Sequence, residues 1–418
     1  MTPQSAHHPL TLLDQVFSVM DSPTRPQDFG LVLHLKKALA TEALCLGAAS
    51  ARRRYPVTGC RIHGKQWVRP ADPSSGVRIV KASCGAAAVA AMEEFIDSPL
   101  DLRLGLPVQQ LLVAGGPDDP VKLITRFHHA ASDGLSAAMW LSHQLAVAWG
   151  LEEPAARDHP FQTLPLLERR RTTEPRRLNR PGRSARLQSS TAEASRARRW
   201  YTIELPASDL RKRARSKEGF SYNDLLITCS LEVFRRWISG HNGGNIQKVA
   251  IWLPVNIRRH PLVGFGNGSS RIRVYPSYAA GAALLDKCRE IHRQIASSVR
   301  HGGWRVPRSH PLQRLPEWLM TRLIRGYLNR PWVDVGTAVF SHVERWKGRF
   351  GKLFEDIERI ECIGQLHASH SVAINGMTHG DQTSLTFTYD PALLSPGELK
   401  ELVDMYQKQI AIASRELQ

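Results

Sequence analysis

VKLITRFHHAASDGLSAAMWLSHQLAVAWG, residues 121–150, is the stretch on which the reading of the chain turns. Val121–His129 is predicted to be a strand, pairing antiparallel with VQQLLVAGG (108–116) across the turn GGPDDP (115–120). Successive strand side chains point to opposite faces, so of His128 and His129 one is free to pack while the other faces a cavity. Asp133 and Gly134 then turn the chain into a helix. Its apolar positions Leu135, Ala138, Met139, Leu141, Leu145 and Val147 mark it as mostly buried.

This arrangement suits proton transfer. An imidazole near its ordinary pKa accepts a proton from a nucleophile at neutral pH, and an aspartate paired with an arginine would hold the turn rigid. Other readings compete. A histidine ending a strand is, taken alone, an ordinary satisfied polar group. A metal site is disfavoured because neighbouring strand histidines diverge and no third ligand follows at helical spacing. A serine hydrolase is disfavoured because no G-x-S-x-G elbow is present.

Outward from the motif, the first half reads as mixed α and β. DFGLVLHL (28–35) and VRIVKAS (77–83) are strands; a helix from Thr41 stops at Tyr55-Pro56, and an alanine-rich helix covers 86–96. The second half has the same grammar without an exact repeat. WYTIELP (200–206), KVAIWLPVNIR (248–258), SSRIRVYP (269–276), TAVFSHV (337–343), HASHSVAING (367–376) and TSLTFTYD (383–390) are strands, the last pair joined by a Gly-Asp turn. Ser221 and Asp224 form a capping box for a helix whose apolar face is Leu226, Cys229, Val233, Phe234 and Trp237. A helix covers 284–300, and Ser395-Pro396 starts a terminal one reaching Arg415. Trp140, Trp237 and Trp252 suit core packing better than the wall of a tunnel. The fold class is α/β, or α+β where strands pair antiparallel.

Size and charge bound the rest. The 418 residues predict two subdomains, and the net charge of +18 asks for an anionic partner. Much of the excess falls in RRRTTEPRRLNRPGRSARLQ (169–188) and ASRARR (194–199), which reads as a flexible basic linker. Nucleic acid is not expected, since no zinc-finger spacing, RNP-like motif or basic heptad pattern accompanies the charge. Cys45, Cys60, Cys84, Cys229, Cys288 and Cys362 lack C-x-x-C spacing and read as reduced thiols of a cytoplasmic protein. No apolar run reaches the roughly 20 residues a membrane span needs, and residues 1–15 do not resemble a secretion signal.

HHAASDG matches the HHxxxDG signature of the superfamily of peptide-synthetase condensation domains, chloramphenicol acetyltransferase-like enzymes and wax ester synthases. Further segments follow in family order. PLTLLDQVF (9–17), SPLDLRLGLPVQQLLV (98–113), SYNDLLITCSLEVFRRWI (221–238), WLPVNIRR (252–259) and GFGNGSSRIRVYP (264–276) resemble segments of wax ester synthase-like proteins. The resemblance implies two chloramphenicol-acetyltransferase-like subdomains forming a V-shaped pseudo-dimer with a central tunnel. Residues 1–155 would be the first subdomain, 156–199 the linker and 200–418 the second. It also implies His129 as general base, His128 as its positioning neighbour, and Asp133 as an anchor paired with Arg258. Gly134 would permit the tight turn, Asn267 falls at a motif position, and Asn223 and Asp224 would position, or simply cap, the helix of the second subdomain.

The implied reaction is transfer of an acyl group from acyl-CoA or a carrier protein's phosphopantetheine thioester to a hydroxyl. Amide formation on an amine and a non-catalytic binding protein are the alternatives; no metal or bound cofactor is implied. Small-molecule or lipid acceptors are the expected partners, and an anionic membrane would fit the charge, giving a cytoplasmic or peripheral membrane protein. With no adjoining carrier or adenylation domain, the chain is expected to act alone. Two departures bear on the branch. The DFGWG motif of plant acyltransferases is replaced by GFGNG, which favours the bacterial wax-synthase or polyketide-associated branch. The Ser-Asn…Pro-Gly loop of many wax ester synthases appears here as Ser341-His342-Val343-Glu344-Arg345.

Overall fold

The computed structural model describes residues 7–22, 24–37, 39–70, 76–81, 85–114, 121–151, 184–187, 193–217, 219–241, 248–258, 264–279, 281–301, 311–328, 336–344, 350–366 and 371–418. The chain begins β1 (His7–Pro9), α1 (Leu12–Met20), β2 (Asp28–Leu35), α2 (Thr41–Arg54), β3 (Arg61–His63), β4 (Gln66–Val68) and β5 (Val77–Lys81). It continues with α3 (Gly85–Asp97), β6 (Val108–Ala114), β7 (Val121–His128) and α4 (Gly134–Ala148). After the basic segment come β8 (Arg199–Pro206), α5 (Ala207–Ser216), α6 (Tyr222–His241), β9 (Ile251–Asn256), β10 (Ser269–Val274) and α7 (Leu284–His301). Last are α8 (Glu317–Leu328), β11 (Ala338–Val343), β12 (Ile357–Ile363), β13 (Val372–His379), β14 (Gln382–Tyr389) and α9 (Pro396–Glu416).

Two large sheets organise these elements. One has the order β12-β2-β7-β6-β5 and the other β10-β9-β11-β13-β14-β8; a small third sheet is β1-β4-β3. Each large sheet contains an antiparallel hairpin, β6–β7 or β13–β14, followed in sequence by a helix, α4 or α9. The class is mixed α/β, as the sequence predicts. One strand crosses between halves: β12 lies in the second half of the chain yet pairs with β2, Cys362 opposite Leu31.

β2 is buried along all eight residues, which is why Phe29 to Leu33 runs without a polar residue, and its two polar side chains, Asp28 and His34, are both paired. α4 and α2 pack together so closely that a Cβ on Gly47 would sit 2.4 Å from the Gln144 carbonyl oxygen. In the other half, α6 is buried on nearly every face, with Leu225, Phe234 and Trp237 in one core cluster with Phe387 and Tyr406. Trp140 is fully buried and its indole donates to Thr58, so it and Trp237 are core residues; Trp252 is half-buried under the Arg271 guanidinium.

The segment read as a linker lies largely outside the described residues. Its end does not behave as a tether. Arg198 is buried, donating to the Asp28 carboxylate at 2.9 Å and to the Asp28 carbonyl at 2.8 Å, and Arg199 starts β8. Arg126 reaches the same carboxylate at 2.8 Å. Burial alone would raise the Asp28 carboxyl, but the two guanidiniums hold it well below the usual carboxylate range. Composition cannot show that a basic run ends on a buried acid. Cys84 and Arg345 lie outside the described residues, and the five described cysteines are free thiols. Among the described residues no helix is long and apolar enough to cross a membrane.

Candidate active site

β7, the central strand of the first sheet, ends at His128, which pairs across the ladder with Asp28 of β2, so the motif begins where that strand leaves the sheet. The backbone is pinned at both histidines: His128 N–H donates to the Pro107 carbonyl at 2.9 Å and His129 N–H to the Gln27 carbonyl at 2.8 Å. A tight turn follows, with the N–H groups of Ala131 and Ser132 both donating to the His128 carbonyl. Asp133 is then the N-cap of α4, accepting the Ser136 N–H at 3.0 Å. An aspartate there satisfies an amide that the first helical turn leaves open and faces the positive end of the helix.

The two imidazoles have different surroundings. His128 is 1% exposed, and its Nδ1 accepts the Ala130 N–H at 3.0 Å. His129 lies between Phe17 of α1 and Phe29 of β2, with ring centroids 5.2 and 4.7 Å away. Its Nδ1 is buried and makes no hydrogen bond of good geometry among the described residues, though the Ser132 backbone lies close enough to favour a proton on the ring. Burial, and after it the neighbouring His128, push its pKa down to about 4 against the opposing pull of Asp133. It is therefore neutral at pH 7, with a lone pair to offer.

Phe17 is placed by the N-terminal segment. Thr11 and Asp14 form a capping box at the start of α1, and the Trp67 indole of β4 donates to the same Asp14 carboxylate at 3.2 Å. The small sheet thus fixes the helix that supplies one wall of the imidazole.

The predicted pairing of Asp133 with Arg258 is present and bidentate. Arg258 Nη1 reaches one carboxylate oxygen at 2.6 Å and Nη2 the other at 2.8 Å, both side chains being buried. Gly268 N–H donates to the same carboxylate at 2.9 Å, while the guanidinium also donates to the Ser136 hydroxyl and the Gly266 carbonyl. Burial would raise the Asp133 carboxyl; Arg258 and the two amides instead hold it below its ordinary value. Asn267 completes the contact, its side-chain amide donating to the His129 carbonyl at 2.6 Å. Arg258, Gly266, Asn267 and Gly268 all lie beside β9 and β10, so the second half of the chain grips the motif turn of the first.

One expectation changes and two are specified. Gly134 has an ordinary backbone and open space around a would-be Cβ, so the turn does not need glycine there. The glycine requirement sits in GFGNG: Gly264 and Gly266 have φ of +93° and +139°, and a Cβ on Gly268 would meet Arg258 Nη1 at 2.6 Å. Asn223 and Asp224 take no part in the network. Asp224 caps α6 through Ser221 and accepts from His292 at 2.9 Å, the helix-end role. Of the segment matched to a Ser-Asn…Pro-Gly loop, Ser341 to Val343 end strand β11, where His342 meets the Thr378 hydroxyl at 2.8 Å, and Arg345 lies outside the described residues.

The sequence reading missed Ser136 and Asp21. Ser136 sits three residues beyond Asp133, where a serine reads as an ordinary first-turn residue. Asp21 follows α1, and its Oδ2 lies 3.8 Å from His128 Nε2. Asp21 and His128 both line a cavity of about 700 Å³ between the end of α1, residues 99–103 and α8.

No family model and no curated protein matches the chain. Solved structures do. The first condensation domain of the CDA synthetase superposes with a TM-score of 0.70 over 100% of this chain and 98% of its own, at 14% identity. The fold is that of a condensation domain. A variant starter condensation domain of rhizomide synthetase, in complex with C8-CoA and Leu-SNAC, gives 0.66 over 99% of this chain and 96% of its own, at 13% identity. The condensation domain of the Monacolin K polyketide synthase gives 0.63 over 98% of each chain, at 12% identity. Within this condensation-domain fold, HHAASDG sits where the two halves meet, and Arg258 and Asn267 are the residues by which the second half holds it.

Proposed function

We propose that the protein is an acyltransferase that moves an acyl group from a thioester to an acceptor hydroxyl, with His129 as general base. The observation that supports this most is the state of His129: neutral, flanked by two phenyl rings, its carbonyl held by Asn267, and the turn behind it locked by Asp133 and Arg258. The acceptor O–H gives its proton to His129 Nε2 as its oxygen attacks the thioester carbonyl. The tetrahedral intermediate collapses, the C–S bond breaks, and the thiolate recovers the proton from the imidazolium, leaving ester and free thiol. Holding both substrates against one imidazole would supply much of the rate, since proximity alone is worth about 7–11 kcal/mol.

The donor would be acyl-CoA or an acyl carrier protein, and the charge of +18 suits the phosphates of either, as it would suit an anionic membrane. His128 would position the turn through its hydrogen bond to Ala130. Amide formation is the second reading, favoured by the neighbouring structure that holds C8-CoA with Leu-SNAC. Thiol release from acyl-CoAs of two to sixteen carbons, offered with alcohols and with amines, tests both readings. Release that depends on an alcohol supports ester formation, and release that depends on an amine supports the second reading. No release with any pair would remove acyl-CoA from the proposal.

A further inference from the structure

His128 Nδ1 accepts the Ala130 N–H, so it carries no proton, and the ring's hydrogen is on Nε2. That Nε2–H is buried, has no hydrogen-bond partner among the described residues, and belongs to a side chain lining the 700 Å³ cavity. A buried donor left unpaired costs about 1–3 kcal/mol, so it calls for an acceptor from the cavity. Across from it stands Asp21, whose Oδ1 is occupied by the Gln27 N–H at 2.9 Å and whose Oδ2 lies 3.8 Å from Nε2, too far for a direct bond. An oxygen seated between them, about 2.8 Å from each, would close both gaps.

The rest of the wall selects no charge. Asp21, Asp101 and Glu317 are balanced by Arg103, Arg196 and Arg325; Arg103 pairs with Glu317, and Arg325 donates to the Val19 and Asp21 carbonyls. Leu100, Leu102 and Trp318 add apolar surface. The volume falls in the range of small-molecule sites.

We infer that the cavity is a binding site for an uncharged, hydroxyl-bearing ligand with an apolar body, its hydroxyl accepting from His128 Nε2–H and donating to Asp21 Oδ2. Only a group that both accepts and donates fits this pair. An ammonium would set donor against donor at His128, and an ether would leave Asp21 without a proton to accept. The binding preference does not depend on the acyl-transfer reading.

Binding therefore provides the test, without turnover. Ligand-observed NMR would give dissociation constants for 1-hexanol, hexylammonium and hexyl methyl ether, which share one apolar body. The expected result is that 1-hexanol binds about tenfold more tightly than either analogue, the worth of one hydrogen bond whose loss strands a buried partner. Asp21→Ala should bring 1-hexanol and hexyl methyl ether to equal affinity, and His128→Phe, independently, should abolish the preference for 1-hexanol over hexylammonium. Equal affinities in the wild-type protein, tighter binding of hexylammonium, no binding at all, or a preference that survives both substitutions would overturn the inference. Absence of acyl transfer in a protein that keeps the preference would count against the reaction, not the site.

Discussion

Arg258→Ala is the perturbation whose cost follows most directly from the geometry. It removes both hydrogen bonds to Asp133 and those to Ser136 and Gly266. Asp133 is left as a buried carboxylate holding only the Ser136 and Gly268 amides. Breaking a buried pair by removing one partner costs about 3–5 kcal/mol, and the two surviving amides place this case near 3 kcal/mol. Unfolding entropy of about 2 cal/mol/K per residue over the whole chain converts that to a Tm about 3–4 °C lower if the halves unfold together. Asp133→Ala should cost a similar amount, because it strands the guanidinium. The double variant should be barely worse than either single one, giving a coupling energy of about 3 kcal/mol in a denaturant-unfolding cycle. Additivity within about 0.5 kcal/mol would mean that the pair does not join the two halves, and the argument for a locked turn would fail.

Two further predictions concern acid and glycine. Because His129 is pushed down to about 4, the acid limb of kcat/KM should fall near pH 4–5, and a limb at pH 6–7 would contradict the buried environment. The sign for stability follows: a histidine whose folded pKa lies below its unfolded value stabilises fully above pH 6.5 and loses that contribution as pH falls toward 4. His129→Ala should accordingly lose about 2 kcal/mol less than wild type between pH 7 and pH 5, measured by urea unfolding at both. Gly134→Ala should leave stability unchanged or raise it by up to about 1 kcal/mol, while Gly268→Ala should lower it by about 1–3 kcal/mol. Thermal melts showing the reverse order would return the glycine requirement to the motif itself.

The site was legible where its chemistry is local in sequence. The β7–turn–α4 passage has its strand, its cap and its buried helix written in consecutive residues, and the Asp133–Arg258 pairing followed from the family motif. What escaped depends on contacts far apart in the chain. β12 mixes Arg359 and Glu361 into its apolar residues because Glu361 pairs with His34 across the ladder to β2, at 2.7 Å, and no local pattern announces that partner. β1, β3 and β4 are three residues each, too short for periodicity to register. Arg198 looks like its neighbours in a basic run until Asp28 and Arg126 are placed beside it. A motif glycine does not reveal its own φ: Gly134 has an ordinary backbone, and the glycines whose conformation matters are those of GFGNG.

The central claim is that His129 takes the acceptor's proton. Its most direct test is steady-state thiol release by wild type and His129→Ala, with the best donor and acceptor of the panel and both proteins checked for equal Tm at pH 7.5. Loss of a positioned general base should lower kcat by about 100- to 10,000-fold with little change in the KM for the donor. A variant that turns over within about threefold of wild type would contradict the claim and place the base elsewhere.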